Sequence, residues 1–203
     1  MATSGTTAFN MDFAEIAEEA WERAGREMRS GFDLRTARRS MNLLTLEWQN
    51  RGINLWTIDS DTVSLVTGTS QYTLPADTID LLEQVIRTDS GDTTKQSDLN
   101  MSRISVSDYS SIPNKLTRGR PIQVWIERLI TAPRINVWPV PDSNDYTFVY
   151  WRMRRIEDAG NGVETADMNY RFLPSLVAGL AYGIAMKEPE LAPRLQMLKT
   201  EYE

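Results

Sequence analysis

Between Phe172 and Met186 the chain runs for fifteen residues without a charge. On a helical projection this stretch is apolar on nearly every side, and it is rich in small residues: Ala178, Gly179, Ala181, Gly183 and Ala185. A helix that is apolar all round has to be covered all round. A bilayer cannot do the covering, because a span needs about 20 residues and Arg171 and Lys187 close this segment at both ends. The segment is therefore expected to be a central helix among other helices. Its small side chains let backbones come close, and Gly179 and Gly183, four residues apart, favour tight helix packing outside a membrane.

The partners for such a helix lie at the two ends of the chain. Residues 1–11 are small and polar and read as a flexible arm. A helix is predicted from Asp12, with Glu15 three residues on as its capping-box partner and Phe13, Ile16, Ala17, Ala20, Trp21, Ala24 and Met28 along one face. Gly31 is its expected stop. Asp33 is the expected cap of a second helix, in which Leu34, Ala37, Met41, Leu44 and Trp48 step by three and four until Asn50, Arg51 and Gly52 end it. So short a turn between them predicts an antiparallel helical hairpin over residues 12–52. After Pro189 a last helix carries Leu191, Leu195, Leu198 and Tyr202 on one face, so residues 170–203 complete the bundle.

Residues 53–169 change texture to short β segments between turn formers. Thr62 to Thr67, Gln71 to Leu74 and Leu81 to Thr88 read as strands, and Ser105 to Ser111 as one helical turn. Ile122 to Leu129, Arg134 to Trp138 and Tyr146 to Arg155 read as a three-stranded meander. Two loops are strongly polar. Residues 89–98 contain no apolar side chain and read as a hairpin tip or a loop ordered by a partner; residues 157–167 contain Gly160 and Gly162. The fold class is then α+β: a helical bundle made by the N-terminal hairpin and the C-terminal helices, with an antiparallel β lobe inserted between them.

Composition narrows the chemistry. The chain has no cysteine and no histidine, which removes disulfides, thiolate nucleophiles, Cys/His metal sites and the usual general base near neutral pH. No catalytic, cofactor-binding or metal-ligating residue stands out. Glu15, Glu18, Glu19 and Glu22 recur at helical spacing, as a solvated face does. The loop 157–167 departs from the EF-hand pattern and reads as a turn. With 22 basic against 28 acidic residues the formal charge is −6, so free nucleic acid is repelled at long range. The N-terminus lacks the basic and apolar runs of a signal peptide, so a cytoplasmic origin is expected.

Two features point to protein contacts. Arginine supplies 18 of the 22 basic residues; it suits planar pairing at interfaces, and a high-GC genome would produce the same bias. Arg23, Arg26, Arg29, Arg35, Arg38 and Arg39 cluster around the turn between the first two helices. They have two open readings: internal salt bridges with Glu22, Glu27 and Asp33, or a surface for a partner. In the β lobe Trp125, Trp138, Tyr146, Phe148, Tyr150 and Trp151 fall on both faces of the strands, one face for the core and the other for a subunit contact.

Four segments in this order resemble the head-to-tail adaptor, or head completion, proteins of tailed bacteriophages, those of short-tailed phages above all. They are Glu47-Trp48-Gln49-Asn50-Arg51-Gly52-Ile53-Asn54-Leu55-Trp56; Tyr72-Thr73-Leu74-Pro75 with Asp77 and Asp80; Val137-Trp138-Pro139-Val140-Pro141-Asp142 into Tyr146; and Tyr170-Arg171-Phe172-Leu173-Pro174, which opens the Ala/Gly-rich helix. The resemblance implies a virion protein of the head-tail junction, a subunit of a homo-oligomeric ring, commonly of twelve copies. Such a ring docks under the portal protein ring and carries the tail nozzle or tube, and DNA passes through its lumen without specific binding. It implies no enzyme, no cofactor and no membrane. The expected partner-binding residues are Arg35, Arg38 and Arg39, the loop residues Asp92, Thr93, Thr94, Lys95 and Gln96, and Leu195, Leu198 and Tyr202 of the last helix. The rival expectations are a tail-tube or nozzle subunit, a cell-wall hydrolase using acidic residues, and a small DNA-packaging factor.

Overall fold

A computed structural model describes residues 4–7 and 9–203. Residues 1–3 and 8 of the expected arm lie outside the described residues, and the arm's described residues 4–7, 9 and 10 are exposed. The chain is α+β. It divides into two compact units: Met1–Trp56 with Ile156–Glu203, and Thr57–Arg155. The polar loop 157–167 thus lies with the helices.

The helical unit contains α1 (Phe13–Ala24), α2 (Gly31–Asn50), α4 (Leu173–Ala185) and α5 (Leu195–Tyr202). α4 is the central element, with α1, α2 and α5 packed chiefly against it. Leu176, Leu180, Ala181 and Ile184 have no exposed surface. At Gly179 an added Cβ would stand 2.8 Å from the Tyr202 ring and 2.9 Å from Leu44, so a glycine there sets how closely α2 and α5 approach. α1 and α2 touch each other little, and the expected hairpin is better described as two helices that each pack on α4.

Two helix ends differ from expectation. α1 carries the capping box of Asp12 and Glu15, yet it stops at Gly25 rather than Gly31. Gly25 is left-handed at φ 103°, and its N–H bonds back to the carbonyls of Trp21 and Glu22. The Arg194 side chain fills the space a Cβ would take there, 1.9 Å from Nη1, so only glycine fits both the backbone and the packing. Met28 leaves the helical stripe but still packs on the core. Ser30, not Asp33, caps α2: the Ser30 hydroxyl accepts the Asp33 N–H at 3.4 Å, and the Asp33 carboxylate accepts the Arg29 N–H at 3.0 Å.

The loop 157–167 is held against the first turn of α1. The Phe13 N–H donates to the Glu164 carbonyl and the Ala14 N–H to the Gly162 carbonyl, both at 3.0 Å. Within the loop, Glu164 Oε2 accepts the N–H groups of Asn161 at 2.7 Å and Gly162 at 3.1 Å. That carboxylate closes a turn.

The β unit holds β1 (Ile58–Ser64), β2 (Gln71–Thr73), β3 (Thr78–Thr88), β4 (Ser97–Asn100), β5 (Ser102–Arg103), the short helix α3 (Val106–Ser111), β6 (Gln123–Glu127), β7 (Arg134–Trp138) and β8 (Thr147–Arg154). They form two four-stranded sheets, in the orders β1-β8-β3-β4 and β2-β7-β6-β5. All pairings are antiparallel except β5 with β6. One core serves both sheets: Leu81, Ile86, Phe148 and Tyr150 from the first meet Val124, Ile126, Ile135 and Val137 from the second.

The expected meander is overturned. β6 and β7 pair, but β8 enters the other sheet, between β1 and β3. Pro139 and Pro141 follow β7 directly, and neither has an N–H with which to extend a ladder. The chain leaves its sheet there. The polar stretch 89–98 is a hairpin tip: its last residues pair back on β3, with Arg87 opposite Asp98 and donating to both carboxylate oxygens at 2.7 and 2.8 Å.

Candidate functional site

Helical periodicity gives α2 two faces. Asp33, Thr36, Ala37, Ser40, Met41, Leu44 and Trp48 are buried. The opposite stripe reads Phe32, Arg35, Arg39, Leu43 and Leu46 from the N-terminal end. Phe32 is 60 % exposed, Leu43 63 % and Leu46 49 %. Three large apolar groups interleaved with arginine on one exposed face of a helix is the composition of a contact surface, since Arg and aromatic anchors are enriched there and lone exposed apolar residues are not informative.

The arginines around the α1–α2 turn separate into two groups. Arg23 pairs with Glu19 at 3.4 Å and with Glu201 at 2.9 Å, and Arg26 pairs with Asp33 at 3.7 Å and with Glu188 at 3.2 Å. These contacts join the first helices to the C-terminal segment. Arg29 meets only the exposed Glu27, at 4.0 Å. For Arg35, Arg38 and Arg39 no carboxylate lies within 4.0 Å among the described residues. Arg35 Nε donates to the Gly31 carbonyl at 3.3 Å, and the buried Nε of Arg38 has no hydrogen-bond partner among the described residues. With Phe32 these three line an open depression of about 420 Å³. Lys187, which donates to Ser40 Oγ at 2.7 Å, has its amine pKa lowered by burial first and then by Arg39.

Beside the stripe lies a cleft of about 390 Å³, with Gly179 and Gly183 in its lining, Leu43 and Met186 among its apolar groups, and Glu47, Arg51, Lys187 and Lys199 among its charged ones. Tyr202 also lines it, and its hydroxyl accepts the Trp48 Nε1–H at 3.0 Å.

The other expected contact residues fall in two places. On the β3–β4 tip, Asp92 Oδ1 accepts the Thr94 N–H at 2.9 Å and the Thr94 hydroxyl at 2.6 Å, and its Oδ2 meets Lys95 Nζ at 3.2 Å. Those donors hold the Asp92 carboxyl below the ordinary carboxylate range, the Thr94 hydroxyl most of all. Thr93, Thr94, Lys95 and Gln96 are exposed around it. On α5, Leu198 has no exposed surface and Leu195 and Tyr202 pack partly on the helical core. That face belongs to the fold of this chain, because α4 needs covering on every side. What α5 leaves outward is the opposite face, with Met197 exposed. Phe32, Leu43 and Leu46 escaped the sequence reading. Their signal was a second apolar stripe on a helix whose first stripe already filled the core.

Catalytic geometry is a different matter. General-acid hydrolysis uses a carboxyl whose pKa is raised by its surroundings. Asp77, Asp80, Asp92, Asp98, Asp108 and Glu164 are held low instead. Also among the described residues, no group of three or more acidic side chains is placed to hold a metal ion, and no helix is long and apolar enough to cross a membrane.

An exposed stripe of apolar groups and arginine is a surface of the kind by which one protein joins another. The chain belongs to the SU10 adaptor protein family, whose profile matches residues 11–203. No curated protein matches it. Membership makes the chain a phage head-tail adaptor, a structural role with portal and tail components as the implied partners.

Proposed function

We propose that this chain is one subunit of a ring, twelve copies in the short-tailed phage type, that docks under the portal ring, carries the tail nozzle or tube and passes DNA through its lumen. The observation that carries this reading is the outward stripe of α2, where Phe32, Leu43 and Leu46 are exposed beside Arg35 and Arg39, which have no ion-pair partner among the described residues. A surface of that kind adds little to the fold of one subunit and much to a contact. The acidic balance of −6 suits a channel, because a wall without basic excess does not hold a sliding polyanion through many phosphate contacts. Ring closure multiplies weak contacts into a tight assembly.

Native mass spectrometry of the purified chain, alone and with portal rings from the same source, tests the reading. A monomer that shifts to one fixed stoichiometry with the portal supports it and counts the copies. Self-assembly without portal points to a tail-tube subunit instead, and a monomer that ignores competent portal rings overturns both.

A further inference from the structure

The stripe on α2 has its complement on the same molecule. On α1, Glu15, Glu18 and Glu22 are exposed. Glu15 is occupied as the helix cap, its Oε2 accepting the Asp12 N–H at 3.0 Å. Glu18 and Glu22 have no cation within 4.0 Å among the described residues. The two glutamates stand four residues apart, as Arg35 and Arg39 do, a separation of about 6 Å along either helix axis. Apolar groups extend the match. Beyond Arg39 on α2 come the exposed Leu43 and Leu46; ahead of α1 lies the exposed Phe9, in the segment that precedes the helix, and in the loop bonded to the first turn of α1 the exposed Val163. Laid antiparallel, the two stripes set Arg35 against Glu22, Arg39 against Glu18, and the leucines against Phe9 and Val163.

Resting on the ring reading, we infer that neighbouring copies join through α2 of one subunit and α1 of the next. The physical reason is sign. Two arginine stripes facing each other repel, as do two glutamate stripes, so a two-fold contact that sets either stripe against its own copy is disfavoured. Only the mixed contact attracts, and a head-to-tail contact between unlike faces is the kind that propagates and closes into a ring. The contact is exposed at its rim, so salt weakens it.

Charge exchange tests this directly. One chain carries R35E and R39E, a second carries E18R and E22R, and both are assembled on portal rings and counted by native mass spectrometry. Each alone is expected to lose assembled ring by at least about tenfold. Their equimolar mixture is expected to recover it, because the first chain's α2 now attracts the second chain's α1 and the reverse also holds, giving alternating rings of even copy number. Either chain alone assembling as the wild type does would overturn the contact. So would a mixture that stays unassembled while circular dichroism and melting show both chains native. The glutamine versions at the same four positions keep the test open if a reversed chain is poorly folded: neutralised rings must become weaker and less sensitive to salt, and unchanged assembly and salt response count against the contact. If wild-type subunits never assemble on portal rings, the ring reading fails first, before any variant is needed, and the contact fails with it.

Discussion

In the β unit Arg87, Arg103, Arg128, Arg134 and Arg152 each lie within 4.0 Å of a carboxylate of that same unit, whereas Arg35, Arg38 and Arg39 of the helical unit meet none among the described residues. Asp80 alone receives Arg103 and Arg128, each at 2.8 Å. Arg152 lies with Asp77 at 2.6 Å and Thr78 Oγ1 at 2.8 Å. The two sheets of the β unit share one core and leave Ile58, Leu82 and Trp151 exposed, while α2 buries one stripe and leaves Phe32, Leu43 and Leu46 exposed together on another. The difference separates arginines already held by a carboxylate of their own unit from arginines that are not, and the proposed contact with a neighbour rests on the second group.

The largest expected effect tests the helical unit. Leu180→Ala empties a site with no exposed surface on the central helix and should cost about 3 kcal/mol or more in denaturant unfolding. A loss below about 1 kcal/mol would mean that α4 is not the element on which its neighbours depend.

Next, Arg152→Ala removes a side chain that is only 11 % exposed. It leaves Asp77 and Thr78 without their donor and should cost about 2 kcal/mol in the same measurement. No loss would erase the contrast between paired and unpaired arginines.

Acid should act on the β unit through the same pairs. Burial pushes the Asp77 and Asp80 carboxyls up, but Arg152 for the first, and Arg128, the Leu81 N–H and Arg103 for the second, outweigh it and hold both below the ordinary value. With folded pKa values depressed, the unfolded chain binds more protons as pH falls. Stability present above the unfolded carboxylate range, from about pH 5 upward, is lost as pH drops through that range toward the folded values. Urea midpoints from pH 6 to 3 check this, and Arg128→Gln should flatten the slope. At the alkaline end, Tyr150 is held protonated by burial and by its bond to Asp61 at 3.0 Å, so its pKa is raised. Its contribution is complete below about pH 10 and is lost as pH rises further.

The smallest expected effect on stability completes the contrast. Arg35→Ala with Arg39→Ala should change the unfolding free energy by no more than about 0.5 kcal/mol, while ring assembly is lost. A large loss of stability instead would place those arginines among the groups that hold the subunit together.

Much of this protein was determined by its sequence alone. An all-round apolar segment needs helices on every side, and the only other helical periodicities lie near the two chain ends, so the insertion of a β region followed from burial. Asp12 and Glu15 marked a helix start because their chemistry is local. The arginines at 35, 38 and 39 were also visible, as a charge cluster beside a turn. Tertiary structure decided what depended on distant partners. Gly25 ends α1 by a local left-handed cap, while the packing of Arg194, remote in sequence, against it was decided by the tertiary fold. β8 leaves the expected meander because two prolines stop the ladder, and its place between β1 and β3 is set by pairing with strands far along the chain. Leu198, expected both on the bundle face of the last helix and among the partner contacts, is in the core, where α4 required a cover. Which arginines remained unpaired was likewise a matter of whether a carboxylate from elsewhere came within reach, and periodicity carries no information about that.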